Sequence, residues 1–405
     1  MKYDAHKLLA QQFLPRLEPD PEDVAELKAA KTLIRNTIRD AFTQTHQSVT
    51  PDQYGRFFID ESKISPHLAE SIRKLDPSQK ETLRQTKPKF APQGSFVYKT
   101  ANSPCHTPPQ QIDFDDGVYL PTDLFEDKPI VSKDLFFKIV DDSLNKLCDS
   151  KPGWEFDDSK PTCARIILDS KKHIDVPLYA IPRKKYEEMA EAINKSHFRD
   201  ASMEKNLLDS KNVFMAMRKK EHWIKSDPKQ ISQWFIGNVK DYGEIVRRIS
   251  RYMKAWRDYV FTKGGPSSIT LMACVVKTFE EQASRGTIFK NDSEALLCCA
   301  NNLYGQLSSG VDSPIDETEP ALFPRNIDDD EQNIILSKAS EFGMLLKSAL
   351  LNASNSQEAN QELLAAFGSR MPFIPSLITT TAAAIVRQSK PRPQSQPEVK
   401  NMSGG

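Results

Sequence analysis

Three aspartates set in strand-like segments constrain this 405-residue chain more than any other feature. Residues 93–98 read Gln-Gly-Ser-Phe-Val-Tyr, and after a proline-rich spacer comes Gln-Ile-Asp-Phe-Asp-Asp, with Asp113 and Asp115 two residues apart. Side chains alternate faces along a strand, so Asp113 and Asp115 project together while Ile112 and Phe114 bury behind them. Two carboxylates so placed suit hard divalent cations, and Mg²⁺ takes few carboxylates together with substrate phosphates. Gly94 lets the backbone approach a phosphate, and Ser95 adds a hydroxyl and an N–H donor. The other reading of these two motifs alone is a surface Asp-x-Asp turn beside a Gly-Ser loop.

Residues 173–181 (His-Ile-Asp-Val-Pro-Leu-Tyr-Ala-Ile) read as a further strand, joined by the polar connection Ser170-Lys171-Lys172 to the run Cys163–Asp169. That pattern predicts a hairpin. Asp175 lies between Ile174 and Val176 but on the opposite face, and a carboxylate inside an apolar strand is costly unless paired or metal-bound. Were this strand to lie beside that of Asp113, three carboxylates would converge, able to hold two metal ions for phosphoryl chemistry.

Lys+Arg and Asp+Glu both total 55, so the formal net charge is zero, which argues against a nucleic-acid polymer as substrate. No run approaches the roughly 18 apolar residues of a membrane span, and the N-terminal residues lack a signal-peptide core. The six cysteines form no C-x-x-C pair, which makes a structural zinc unexpected and points to buried thiols of a cytoplasmic protein.

Asp20-Pro21 opens a helix, and Val24, Leu27, Ile34, Ile38 and Phe42 keep helical spacing to about residue 44. The opposite face carries Lys28, Lys31, Arg35 and Arg39, either a solvated stripe or a wall of a nucleotide cleft. The carboxylate strands fall within 93–185, around a helix near Ser132–Leu147. From about residue 230 the pattern is helical, with an apolar stripe Ile245, Ile249, Met253, Trp256, Val260 and a break at Gly264-Gly-Pro-Ser-Ser268. The expected class is therefore α+β followed by a helical domain. The expected division is an N-terminal helical segment on both lobes (1–50), a catalytic core (51–230), a helical lobe (231–375) and a disordered tail (376–405).

With these pieces placed, the chain resembles the bacterial cGAS/DncV-like nucleotidyltransferases, in their cyclic GMP-AMP synthase branch, over about residues 20–370. The resemblance rests on residues 93–98, Asp113-Phe-Asp-Asp-Gly117, His173-Ile-Asp-Val-Pro177, Ser226-Asp-Pro-Lys229, Met253-Lys-Ala-Trp-Arg-Asp258 and Gly264-Gly-Pro-Ser-Ser-Ile269. It implies a DNA polymerase β-like core with a mixed sheet, closed by a C-terminal α-helical lobe. By position it makes Asp113, Asp115 and Asp175 the catalytic and metal-binding carboxylates, for two Mg²⁺ ions with Mn²⁺ as an alternative. Nucleotide contacts are implied for Gln93, Gly94, Ser95, Phe96, Val97 and Tyr98. They are also implied for Arg165, whose fork suits a triphosphate, and for Ser226, Lys254 and Ser268. The other reading of Lys254 is a structural cation, against which the neighbouring Arg247 and Arg251 favour a phosphate-facing groove. The sequence departs from the family at Thr318, where an acidic residue helps recognise a base; Glu317 and Glu319 flank it as alternative acceptors.

The implied activity joins ATP and GTP into 3′3′-cyclic GMP-AMP with release of pyrophosphate, a signal that switches on an antiphage effector. A relative that extends RNA ends or modifies a protein, and a catalytically dead nucleotide-binding module, are the competing readings. The chain ends Ser403-Gly404-Gly405. The resemblance implies conjugation through Gly405 by an E1/E2-like ligase and removal by a deconjugating protease of the same operon.

Overall fold

The structure, a computed structural model, describes residues 1–121, 129–195, 213–218, 224–225, 228–315 and 320–381. Ser226, Thr318 with its flanking glutamates, and the tail from 382 to Gly405 lie outside the described residues. Among the described residues a seven-stranded mixed sheet forms the catalytic core. Its strands are β1 (Lys89–Gln93), β2 (Ile112–Pro121), β3 (Glu155–Asp157), β4 (Cys163–Ile167), β5 (Lys172–Ile181), β6 (Phe214–Met215) and β7 (Ile224–Lys225). β2 and β5 run parallel at the centre, β1 lies antiparallel on the outer side of β2, and β4 and β6 share the far edge of β5. The β4–β5 hairpin forms as its sequence predicts, its turn held by Asp169 Oδ1, which accepts from the amides of Lys171 and Lys172.

One face of the sheet is apolar. Phe114, Val118, Ile174, Val176 and Leu178 pack against α1 (Pro21–Ser48) and α2 (Pro129–Asp149). α1 begins where Asp20 accepts from the amide of Glu22, with Pro21 in the first turn, and it buries Leu27, Ile34, Ile38 and Phe42. Its basic stripe does not reach a nucleotide cleft: Arg35 forks Asp116 at 2.5 and 2.6 Å, and Arg35 and Arg39 both lie over the Phe90 ring. The start of α1 is pinned to the hairpin, because buried Lys172 reaches Asp23, Glu26 and Asp169 at 2.7–2.9 Å. α3 (Arg183–Lys195) follows β5.

The second core is helical. It is built by α4 (Pro228–Tyr242), α5 (Ile245–Val260), α6 (Ser268–Ser284), α7 (Asp292–Ser308), α8 (Asp329–Lys347) and α9 (Ser356–Phe367). α5 lies at its centre, with Trp256 stacked on Phe342 at 4.8 Å. The first residues of the chain belong to this core: Leu8, Leu9, Phe13 and Leu17 are fully buried in it, and Phe13 packs on Tyr252 and Phe367. The chain therefore starts in the helical lobe and crosses to the catalytic core along α1. Tyr3–Asp4 also pairs antiparallel with Thr379–Thr380, so the ordered helical lobe runs past the expected boundary at 375 and residues 376–381 are not part of a disordered tail, because the chain's own start supplies their pairing partner.

The two lobes are tied along one seam. Arg247 Nε donates to the carbonyl of Tyr98 at 2.8 Å, Arg251 and Asn102 bond reciprocally at 2.9–3.0 Å, and Lys254 Nζ donates to the carbonyl of Thr100 at 2.7 Å. Gln110 completes the seam by donating to the carbonyls of Asp258 and Phe261. Buried carbonyls need such partners.

Candidate active site

The parallel pairing of β2 with β5 sets Asp113 opposite His173 and Asp115 opposite Asp175. All four side chains share the face away from α1 and α2, as strand alternation requires. The expected convergence of three carboxylates is thus present. Asp113 is the open member, its side chain 44% exposed against 7% for both Asp175 and His173.

Each carboxylate meets a different field. Burial, and then the negative charges of Asp113 and Asp175, push the Asp115 carboxyl well above the usual range. Burial also works against ionisation of Asp175, but Arg165 and Lys160 outweigh it and hold that group down at about 2. Arg165 forks Asp175 at 2.6 and 2.9 Å, and Lys160 Nζ lies 2.9 Å from it. In this state Arg165 is occupied by a carboxylate.

Gly94 has φ +71°, and a Cβ there would collide with Asp115 Oδ2. Only glycine fits so close beneath the carboxylate. The next residues form the short helix Ser95–Tyr98, whose Val97 and Tyr98 amides bond back to the Gly94 carbonyl at 3.1 and 3.2 Å. Gln93 donates from Nε2 to the Tyr179 hydroxyl, leaving Oε1 buried and unpaired. Phe96 packs on Phe114, and Val97 packs against the helical core.

A cleft of about 710 Å³ opens between the lobes over this face. Gly94, Ser95, Tyr98, Asp113, Asp115 and His173 line it from the sheet side, and Lys254, Arg257, Asp258, Gly264, Ser267 and Ser268 from the helical side. Gln93, Phe96, Val97, Arg165 and the buried Asp175 stand behind that surface. Arg247 and Arg251, expected in a phosphate-facing groove, do not line the cleft, because the lobe seam uses them. Lys254 is buried at the base of the cleft, where burial and then the charge of Arg257 lower its pKa to about 8. Ser267 caps α6 by accepting from the Thr270 amide, and Ser268 Oγ accepts from Arg257 Nη1 at 3.1 Å.

The sequence reading passed over His173, Gln111, Lys160 and Arg257. A signal for the first two was present: each precedes a key aspartate by two residues, the spacing that returns a strand side chain to the same face. Arg257 lies three residues after Lys254 and so on the same helix face, whereas no comparable pattern marks Lys160, which reaches the site through the fold.

Among the described residues, Asp113, His173 and Asp175 offer donor atoms within 4.8 Å of one another, an arrangement that fits a divalent cation. Two orphaned buried atoms there, Asp113 Oδ1 and His173 Nε2, strengthen that fit.

A mixed sheet bearing these carboxylates beside a glycine-serine turn, with a helical lobe over the cleft, defines a polymerase β-like nucleotidyltransferase. Residues 88–179 match the family described as cyclic GMP-AMP synthase DncV-like, nucleotidyltransferase domain, and residues 243–380 match cyclic GMP-AMP synthase, C-terminal domain. The cyclic GMP-AMP synthase of Vibrio cholerae serotype O1 is 33% identical, the alignment covering 93% of this chain and 92% of the relative. The chain belongs to this DncV-like synthase family. The fold is similar to that of Vibrio cholerae DncV in complex with the linear intermediate 5′ pppA(3′,5′)pG, with a TM-score of 0.79 and 30% identity over 94% of this chain and 99% of that one. A variant of DncV in complex with ATP, GTP and 5MTHFGLU2 is equally similar, with the same TM-score, identity and coverage.

Proposed function

We propose that this nucleotidyltransferase condenses ATP and GTP into 3′3′-cyclic GMP-AMP. The observation that carries the reading is the register that places Asp113, Asp115 and Asp175 on one face of two parallel strands, beneath a cleft shared by both lobes. The cleft is of the size that small-molecule sites have. Support for the substrates comes from the similar DncV structures, one holding ATP and GTP and one holding a linear dinucleotide.

In each round a 3′-hydroxyl oxygen attacks the α-phosphorus of the second nucleotide. The P–O3′ bond forms, the bond to the β-phosphate breaks, and pyrophosphate leaves with the electron pair. The hydroxyl proton passes to a carboxylate or to water. A second round on the linear product closes the ring. Asp175, kept ionised by Arg165 and Lys160, orients the attacking hydroxyl, and Gly94 and Ser95 receive the phosphates on backbone N–H groups. Lys254 and Ser268 contact the nucleotides from the helical side. Two Mg²⁺ ions on the carboxylates, when bound, would polarise the phosphorus and neutralise charge on the leaving group.

The product serves as a cytoplasmic signal to an antiphage effector, and Gly405 is joined to amines by a ligase of the same operon, priming synthesis without entering the chemistry. That biology rests on family resemblance. The direct test incubates purified protein with labelled ATP, GTP and Mg²⁺ and resolves phosphatase-resistant products. The proposal expects a mixed cyclic dinucleotide from the wild type and none from Asp113→Ala/Asp115→Ala. Its absence from the folded wild type would overturn the proposal.

A further inference from the structure

Gln111 determines which nitrogen of His173 carries the proton. Its Nε2 donates to the carbonyl of Asp169 at 2.8 Å, which turns the amide oxygen toward His173 Nδ1, 2.9 Å away. An amide oxygen only accepts, so Nδ1 is the donor and the neutral ring carries its lone pair on Nε2. That atom faces Asp113 Oδ1 at 3.0 Å and Asp175 Oδ1 at 3.8 Å. Nε2 and Asp113 Oδ1 are both buried, and neither makes a hydrogen bond. Two acceptors this close repel unless a proton or a metal ion sits between them. Adjacent ligands of an octahedral divalent ion, with bonds of about 2.1 Å, lie about 3.0 Å apart.

We propose that His173 is a metal ligand, its Nε2 adding a nitrogen donor to the oxygens of Asp113 and Asp175, with Gln111 fixing the tautomer. The proposal rests on the reading of this face as a divalent-cation centre. Asp175 still has acceptor capacity, since a carboxylate offers about four lone-pair sites and Arg165 and Lys160 take three. A ligating imidazole whose other N–H donates to a carbonyl-type oxygen is the usual outer arrangement at metal sites. A nitrogen donor also changes selectivity. Imidazole favours transition metals, whereas Mg²⁺ prefers oxygen, so the nucleotide-free protein should hold Mn²⁺ well ahead of Mg²⁺.

The test uses Mn²⁺ itself on the full chain without nucleotide. Bound Mn²⁺ is titrated by electron paramagnetic resonance, and its ligands are read from the modulation of the electron spin echo by ¹⁴N. The wild type should show coupling to one imidazole nitrogen. His173→Gln should lose that coupling and at least about tenfold in Mn²⁺ affinity, and Gln111→Leu should keep the coupling but bind about tenfold more weakly. Weak Mg²⁺ binding, read by competition, should change far less in both. Mn²⁺ bound by the wild type without nitrogen coupling, unchanged affinity in folded His173→Gln, or no Mn²⁺ binding at all would each overturn the proposal. Because the wild-type spectrum alone can decide it, an unfolded variant does not protect it. Synthesis from ATP and GTP measured on the same preparation tests the underlying reading separately, since the enzyme could be active with an all-oxygen site.

Discussion

Asp115 and Asp175 face each other across two strands, yet their surroundings drive them apart. Burial and neighbouring carboxylates favour the protonated form of Asp115, while Arg165 and Lys160 hold Asp175 ionised. A cation arriving at this face supplies the positive charge that Asp115 lacks. Asp113→Ala with Asp115→Ala is therefore expected to leave the fold intact and to lower synthesis by at least ~10³-fold. Circular dichroism and product formation on one preparation check both halves. Lys254 makes a second residue-scale case. Its fall from 10.5 to about 8 corresponds to about 3 kcal/mol, while leaving the buried Thr100 carbonyl without its charged donor costs about 1–3 kcal/mol. Lys254→Met should then melt as a protein at least as stable as the wild type at pH 7, while synthesis falls at least about tenfold. Between about pH 8 and 10.5 the unfolded wild type keeps a proton that the fold has shed, so wild-type stability rises with pH there. The advantage of methionine should shrink across that window in parallel thermal melts. The aspartates were legible in the sequence because strand alternation shows which face a residue takes. Whether Arg165 meets a phosphate or a carboxylate was not, because its partner comes from the neighbouring strand.

At the scale of elements, the Gly-Ser turn and the seam along α5 decide the shape of the site. Gly94 combines positive φ with a position directly under Asp115. Gly94→Ala should destabilise the fold by about 1–3 kcal/mol and displace the carboxylate. Synthesis should fall at least about a hundredfold, since about an ångström of misplacement is enough for that. A fully active, equally stable Gly94→Ala variant would show that the close approach has no consequence. The periodicity from Asp20 to about residue 44 predicted the first helix, which runs one turn further to Ser48, the stripe over 245–260 predicted α5, and the polar turn at 170–172 predicted the hairpin. Burial of Leu8, Leu9, Phe13 and Leu17 in the helical core was not legible, because a short N-terminal apolar run carries no information about its distant partner. The roles of Arg247 and Arg251 were misread for a related reason: a helix face shows its charge but not the carbonyls opposite.

The whole molecule is two cores joined by α1 and by the α5 seam, while the pairing of the chain's start with residues 379–380 ties the helical core to itself. No described helix is long and apolar enough to cross a membrane. Residues 382–405 lie outside the described residues, and the function proposed for them is conjugation through Gly405. Deleting Gly404 and Gly405 should leave the purified enzyme's basal rate nearly unchanged, since the catalytic face is complete without them. Higher-mass adducts should vanish in cells carrying the whole operon, which immunoblotting would show. The central claim is the identity of the product, and mass spectrometry of the reaction with all four nucleoside triphosphates and Mg²⁺ tests it most directly. The account predicts one dominant species, cyclic GMP-AMP with both linkages 3′–5′; a product that is purely adenine or contains a pyrimidine would contradict it.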